Sequence, residues 1–183
     1  NSLALCGTKY DSIITTHLEH KSIEKILSGN TFTKVSYVPV DDYGNINFIE
    51  FYNILKTYNS GVITIQGANS EIGTIQDLSS ISNSIIDKDF VFHVDMTQIF
   101  QQEKINIKEL GIDLMSVSAQ KFHGPKGVGF LYCKKGTHLS PIIYGSQENG
   151  LRGGTYNVEG IAGMGKALEV NRSLCGYRNA CTK

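Results

Sequence analysis

The sequence lacks the cysteine patterns that mark zinc-binding or disulfide-linked proteins. Its four cysteines form no C-x-x-C pair, and none has a histidine at zinc-finger spacing: Cys6, Cys133, Cys175 and Cys181. So few cysteines in 183 residues do not make a disulfide framework. We therefore expect free thiols in a reducing compartment and no metal site.

The sequence also lacks a signal peptide and any apolar run long enough to span a membrane. Its 17 basic residues balance 17 acidic ones, and neither sign is clustered. Such a charge distribution favours neither nucleic acid nor an anionic membrane surface. We expect a soluble, cytoplasmic protein that binds neither of them.

What the sequence does contain is an alternation of short β-rich runs with helical patterns. Strands are predicted over residues 12–16, 34–40, 61–66, 90–94, 113–118 and 127–133, and helices over 18–28, 48–58, 77–86 and 157–171. This alternation indicates an α/β fold with a mainly parallel sheet flanked by helices. We expect one domain over residues 1–170 and an irregular tail over residues 171–183, because the tail is polar and loses its periodicity.

Lys121 is the first candidate functional residue, because it follows an apolar predicted strand within residues 116–129. Open α/β sheets bind ligands at the carboxyl ends of their strands, and a lysine becomes a nucleophile when burial or nearby charge favours its neutral amine. Small neighbours such as Ser118 and Gly124 leave room for a bulky ligand. We expect Lys121 to be buried at this edge. The alternative is an ordinary surface lysine in a loop.

Asp95 and Gln98 follow another apolar predicted strand and form the second group of candidates. A carboxylate at this position can pair with the protonated ring nitrogen of a cofactor, and the Gln98 amide can bond an oxygen on the same ring. The alternatives are that Asp95 caps the next helix and that Gln98 faces solvent.

Polar residues also follow two further predicted strands and one glycine-rich loop. His20 comes after the first strand, where an imidazole could cover an aromatic ring and exchange protons near neutral pH. Ser70 follows the third strand, and Arg152 and Thr155 lie in the loop, where they could contact a phosphate or carboxylate. For His20, the alternative is a loop histidine satisfied by its neighbours.

Five segments stand in order along the chain: THLEHKSI at 16–23, GANSEIGTIQDL at 67–78, FHVDMTQ at 92–98, DLMSVSAQKFHGPKGVGFLY at 113–132 and LRGGTYNVEGIAGMGKAL at 151–168. Together they resemble the cysteine desulfurases of the iron–sulfur-cluster type, in the class V aminotransferase group. The resemblance extends over roughly residues 1–170. It implies the large domain of a type I pyridoxal-phosphate-dependent transferase, incomplete at both ends relative to the family.

The resemblance implies a role for each candidate residue. Lys121 would bind pyridoxal 5'-phosphate as a Schiff base and move protons on the substrate, and His20 would stack on the ring and act as acid or base. Cofactor contacts are implied for the others: Asp95 to the ring nitrogen, Gln98 to the phenolate oxygen, Ser70 weakly to a cofactor oxygen, Ser118 and Gln120 to the phosphate, and Thr155 to the phosphate in a second subunit.

The implied reaction removes sulfur from L-cysteine, giving L-alanine and a protein persulfide for iron–sulfur cluster assembly or other sulfur transfer. A homodimer and a sulfur-acceptor or scaffold protein are implied as partners. One alternative is a truncated cofactor-binding or dimerisation fragment without desulfurase activity, because none of the four cysteines falls in the family's catalytic motif. Another is a different class V aminotransferase or a selenocysteine lyase.

Three positions depart from the family pattern. Ser70 replaces an asparagine, Gln120 replaces a histidine, and Met96 replaces a small alanine. We expect Ser70 to shorten or lose a cofactor contact and Gln120 to remain a neutral donor. We expect the bulk of Met96 to crowd the cofactor.

Overall fold

The computed structural model describes residues 1–29, 32–100 and 106–181, and from residue 172 onward the backbone alone. Within these ranges six strands form one sheet: β1 (Ser12–Thr15), β2 (Lys34–Tyr37), β3 (Ser60–Gln66), β4 (Asp89–Asp95), β5 (Leu114–Ser118) and β6 (Gly129–Cys133). The α-helices are α1 (Ser2–Cys6), α2 (Lys21–Leu27), α3 (Phe48–Leu55), α4 (Leu78–Asn83) and α5 (Val158–Cys181). In the described part of the chain, no helix has the length and apolar character needed to cross a bilayer.

The strand order is β2-β1-β3-β4-β5-β6. Strands β1 to β5 all run parallel to one another, and β6 at the edge is antiparallel to β5. Residues 119–128, which join β5 to β6, are fewer than the dozen or so that a parallel crossover needs, so the chain reverses instead. The prediction of a mainly parallel sheet flanked by helices is confirmed.

Both faces of the sheet are covered by apolar side chains. Neighbouring residues of a strand point to opposite faces, so Ile13 packs with α1 and α2, while Ile14 packs with the larger cluster that includes α3 and α4. Val62 and Ile63 divide between the same two clusters. Continuous apolar strands are typical of sheets buried on both sides.

The parallel arrangement brings the carboxyl ends of the central strands to one edge. Gln66, the last residue of β3, pairs with Asp95, the last residue of β4, and Asp95 pairs with Ser116 of β5. The chain passes from β1 outward to β2 and then back to β3. Such a switch point between β1 and β3 opens a crevice at the carboxyl edge of the sheet.

All four predicted helices differ from the structure in their bounds. Helices α3 and α4 end at Leu55 and Asn83, three residues earlier than predicted. Helix α2 begins at Lys21 rather than at residue 18, because Thr16 Oγ1 donates to Glu19 Oε1 and accepts from the Leu18 amide, which holds this segment as a turn. The backbone of α5 continues to Cys181, where an irregular tail was predicted from residue 171. No proline interrupts this stretch, and Asn171 Nδ2 anchors the helix by donating to Phe122 O at 2.8 Å. Gly29 and Asn30 follow the predicted helix at 18–28 and form a sequence signal for a helix end; Asn30 lies outside the described residues.

Candidate functional site

A cavity of about 180 Å³ opens at the carboxyl edge of the sheet. We call it the site cavity, and its lining residues are Asn1, His20, Ser22, Gln66, Ala68, Ser70, Asp95, Thr97, Gln98, Ser118, Gln120 and Lys121. Every predicted site residue except Arg152 and Thr155 lies among them. Residues spread over a hundred positions of sequence therefore meet in one place, because parallel strands end at one edge of the sheet.

Lys121 reaches this cavity from the short 3-10 helix Ala119–Phe122 that follows β5. Ala119 and Phe122 are buried in the core, whereas Gln120 and Lys121 are exposed on the other side of the turn. The prediction that Lys121 is buried is therefore wrong. The packing of Phe122 against Phe100 turns the lysine toward the cavity and its mouth rather than into the core.

Asp95 is buried at the end of β4 and accepts hydrogen bonds on both carboxylate oxygens. Asn1 Nδ2 donates to Oδ2 at 2.8 Å, and the Thr97 amide donates to Oδ1 at 3.0 Å. Burial alone would raise the pKa of Asp95, but the hydrogen bonds from Thr97 and Asn1 outweigh it and hold the pKa below its ordinary value. Asp95 thus presents a carboxylate to the cavity, while its bond to Thr97 also supports the following turn.

A buried polar row lies beneath Asp95. His93 is two residues earlier on β4 and so points to the same face of the sheet. Its Nδ1 lies 2.7 Å from Thr64 Oγ1 on β3, and its Nε2 lies 2.8 Å from Ser116 Oγ on β5. Burial lowers the pKa of His93, which keeps the ring neutral. The three strands that carry the site are therefore tied together by side chains as well as by backbone.

Glu19 is a half-buried residue with a buried carboxyl group, and the sequence did not single it out. Its Oε1 accepts from Thr16 Oγ1 at 3.0 Å and from the Gln66 amide at 3.2 Å, whereas its buried Oε2 has no partner within the described ranges. Burial raises the pKa of Glu19 to about 8, and the two hydrogen bonds only partly oppose this. Glu19 therefore carries a proton at neutral pH and fixes the turn before His20 to the end of β3.

We expect Glu19→Gln to stabilise the protein at pH 8 by ~2–4 kcal/mol and to have little effect near pH 4.5. The amide mimics the protonated acid. The folded state of the native chain loses stability as the pH rises from 4.5, the ordinary value for glutamate, to about 8, because only the unfolded chain ionises freely there. Urea unfolding across this range measures the difference. Glu24→Gln, on the exposed first turn of α2, is the control; equal pH dependence in native and Glu19→Gln proteins would contradict the assignment.

Met96 does not crowd the site cavity, so that prediction is wrong. Its side chain is fully buried in the core and lies against Gly67, where an added Cβ would come within 2.8 Å of Met96 Sδ. Ser70 and Gln120 do line the cavity. Asn69, just before Ser70, is occupied elsewhere, because its Nδ2 donates to Leu18 O and its Oδ1 accepts from the amides of residues 71 and 72.

Among the lining residues, sequence reasoning missed Ala68 and four polar residues, Asn1, Ser22, Gln66 and Thr97. Asn1 Nδ2 donates to Ser22 Oγ at 2.8 Å as well as to Asp95, and Ser22 Oγ lies 2.9 Å from His20 Nδ1. The sequence did contain a signal for Ser22, because a serine two residues after a histidine that caps a helix lies close to the histidine ring. Asn1 carried none, because its contact with Asp95 joins residues 94 positions apart.

Thr155 lies outside the site cavity and is exposed. Its neighbour Arg152 lines a second, larger cavity of about 750 Å³, which shares Asn1, Thr97 and Ser118 with the site cavity. The two cavities therefore adjoin along the ends of β4 and β5. The contact of Thr155 with a second subunit stays a prediction.

Comparison with known proteins agrees with this architecture. The aminotransferase class-V family model matches residues 1–180. A cysteine desulfurase IscS from Dictyoglomus turgidum is 42% identical over 180 residues, which cover 93% of this chain and 45% of that protein. A cysteine desulfurase IscS from Methanosarcina thermophila is 41% identical over 179 residues, with coverages of 91% and 44%.

Solved structures give the same picture. A NifS-like protein superposes with a TM-score of 0.84 at 37% identity, covering 92% of this chain and 48% of that one. A protein described as SspA in complex with cysteine has a TM-score of 0.79 at 35% identity, with coverages of 88% and 48%. The chain spans about half the length of the curated relatives that it matches. From the family match and the architecture that it shares with these structures, the chain belongs to the class-V aminotransferases, a family of pyridoxal-phosphate-dependent enzymes.

Proposed function

We propose that this chain forms the cofactor-binding part of a cysteine desulfurase, which takes sulfur from L-cysteine and leaves L-alanine. The observation that carries the proposal is the meeting of Lys121, Asp95 and His20 on one cavity at the carboxyl edge of the sheet. Support also comes from relatives named cysteine desulfurase and from a similar protein solved with cysteine.

The residues of the site cavity fit pyridoxal phosphate by their chemistry. An amine, a carboxylate held ionised and neutral hydrogen-bond donors stand on one small cavity, and the buried Oδ1 of Asn1 remains without a partner among the described residues. When bound, the cofactor supplies an electron-withdrawing ring that stabilises negative charge on an attached amino acid. Its site needs an amine for the carbonyl group, an anion for the ring nitrogen and donors for the phosphate.

The chain supplies a residue for each of these requirements. Lys121 supplies the amine and afterwards moves a proton at the substrate Cα, since it is the lysine that lines the cavity. Asp95 keeps the ring nitrogen protonated, because a carboxylate that is already desolvated gains most from a cationic partner. Ser118 and Gln120 donate to the phosphate, and Gln98 donates to the ring oxygen.

We infer further that the protein acts as a cytoplasmic homodimer that passes sulfur to an acceptor or scaffold protein. Exposed apolar side chains near Thr155 support a subunit contact, since Tyr144, Tyr156 and Val158 are 85%, 47% and 64% exposed. Cys6 and Cys133 are free thiols, which fits a reducing compartment.

A second candidate is a cofactor-binding module that does not release sulfur by itself. The observation that favours it is the position of Cys6 and Cys133, neither of which lines the site cavity. Desulfuration to a protein persulfide needs a thiol that reaches the substrate sulfur. If this candidate is correct, the chain binds the cofactor and its substrate, but sulfur transfer needs a thiol from another segment or protein.

Trapping the cofactor on its lysine tests both candidates. The protein is incubated with pyridoxal phosphate, reduced with borohydride and digested, and mass spectrometry locates the adduct. We expect the adduct on Lys121 and not on Lys126, which is exposed five residues away and serves as an internal control. An adduct on other lysines only would overturn the proposal. If the adduct is on Lys121, alanine formation from L-cysteine by the unreduced protein loaded with cofactor supports the desulfurase, and its absence supports the second candidate.

A further inference from the structure

A hydrogen-bonded bridge joins His20 to Asp95. From Asp95 Oδ2 the bridge runs 2.8 Å to Asn1 Nδ2, 2.8 Å from there to Ser22 Oγ, and 2.9 Å on to His20 Nδ1. The Ser22 amide also approaches His20 Nδ1, at 3.2 Å, because His20 is the N-terminal cap of α2. Two of the three residues on which the proposed function rests, His20 and Asp95, are therefore connected through Asn1 and Ser22, which have no part in it.

The direction of the two hydrogen bonds made by Asn1 follows from Asp95. An ionised carboxylate only accepts hydrogen bonds, so the group of Asn1 that faces it must be the amide nitrogen, which settles the orientation of the Asn1 side chain. Asn1 Nδ2 has two protons, and the second points to Ser22 Oγ. The Ser22 oxygen is then an acceptor toward Asn1. Its bond to His20 takes its direction from the Ser22 backbone amide, which donates to Nδ1 and makes that nitrogen an acceptor, so the Ser22 hydroxyl proton also points to Nδ1.

His20 Nδ1 consequently meets two donors, the Ser22 hydroxyl and the Ser22 backbone amide. A nitrogen that accepts from two donors carries no proton of its own, and a neutral imidazole must then carry its proton on Nε2. Among the residues that the structure describes, Nε2 of His20 has no hydrogen-bond partner.

We propose that Ser22, oriented by Asn1, holds His20 in the tautomer with its proton on Nε2, so that His20 offers the cavity a hydrogen-bond donor. In this state Nε2 cannot accept a proton, and Nδ1, which could, is turned to Ser22. His20 therefore acts on a molecule in the cavity as a donor rather than as a base. Ser22 and Asn1 are positioning residues. What the donor does in the reaction rests on the proposed function, whereas the tautomer does not.

The tautomer is measured by NMR on the cofactor-free protein carrying isotope-labelled histidine, because protonated and unprotonated ring nitrogens have distinct shifts. His20→Gln assigns the signals. We expect one neutral form in the native protein, protonated on Nε2, and a fall of about two- to tenfold in the ratio of the two tautomers in Ser22→Ala, as the loss of one hydrogen bond predicts. The backbone amide remains in that variant, so the experiment isolates the hydroxyl.

Two matched variants complete the test. Ser22→Thr keeps a hydroxyl and should restore the native ratio, and Ser28→Ala, at the other end of α2, should leave it unchanged. A native protein protonated on Nδ1, or a Ser22→Ala ratio equal to the native one, would overturn the proposal. Because no cofactor is present, this result is independent of the trapping experiment, so either idea can fail alone.

Discussion

Replacing Lys121 by alanine should abolish both the visible absorbance of bound pyridoxal phosphate and the borohydride-stable adduct. The cofactor absorbs at long wavelength when its carbonyl carbon is joined to an amine, and Lys121 is the lysine on the site cavity. The side chain is exposed and the core of its turn is formed by Ala119 and Phe122, so the substitution should leave the fold intact. Absorbance spectra and circular dichroism of the two proteins measure both points.

Lys126→Ala is the matched control for this experiment. Lys126 lies in the same connection between β5 and β6 and is equally exposed, but it does not line the site cavity. It should keep the spectrum of the native protein. Retention of the long-wavelength band in Lys121→Ala, or its loss in both variants, would remove the basis for assigning the amine to Lys121.

Asp95→Asn should lower the affinity for pyridoxal phosphate by about ten- to a hundredfold, the equivalent of ~1.5–3 kcal/mol for a hydrogen bond to a charged group. The amide has the shape of the carboxylate but no charge, so it cannot hold a protonated ring nitrogen by ion pairing. It would also turn an N–H group either toward Asn1 Nδ2 or toward the Thr97 amide, both of which are donors. Titration of the apoprotein with the cofactor measures the loss.

Asp89→Asn removes the same charge from the opposite end of the same strand. Asp89 is exposed at the amino end of β4, where Tyr10 donates to it at 2.6 Å, far along the strand from the site cavity. We expect cofactor affinity close to that of the native protein. Comparable losses in the two variants would show that the net charge of the strand, and not the carboxylate on the cavity, governs binding.

The strands and the edge at which they end were predictable because their signals are local. Apolar runs such as residues 62–65 and 90–94 indicate strands buried on both faces, and the polar residue that follows each run lies at the carboxyl edge. The same reasoning predicts that His20, Asp95 and Lys121 lie at this edge, where they line one cavity.

The details that the sequence did not reveal depend on contacts between distant residues. The exposure of Lys121 is decided by where Phe122 packs, on Phe100, and the burial of Glu19 by the amide of Gln66. Asn1 meets Asp95 across 94 positions. Periodicity describes which face of an element is apolar, but it does not describe which polar groups from other elements arrive at its end.

The packing of Met96 on Gly67 has a consequence for which residues these neighbouring positions can accept. The thioether of Met96 occupies the space that a side chain at position 67 would fill. Ile99 Cγ2 borders the same space, because it too would lie 2.8 Å from a Cβ at position 67. A methyl group at 67 would therefore require the side chains of Met96 and Ile99 to shift. These contacts lie in the core, so the unusual methionine is accommodated by Gly67, directly after β3, rather than by the ligand.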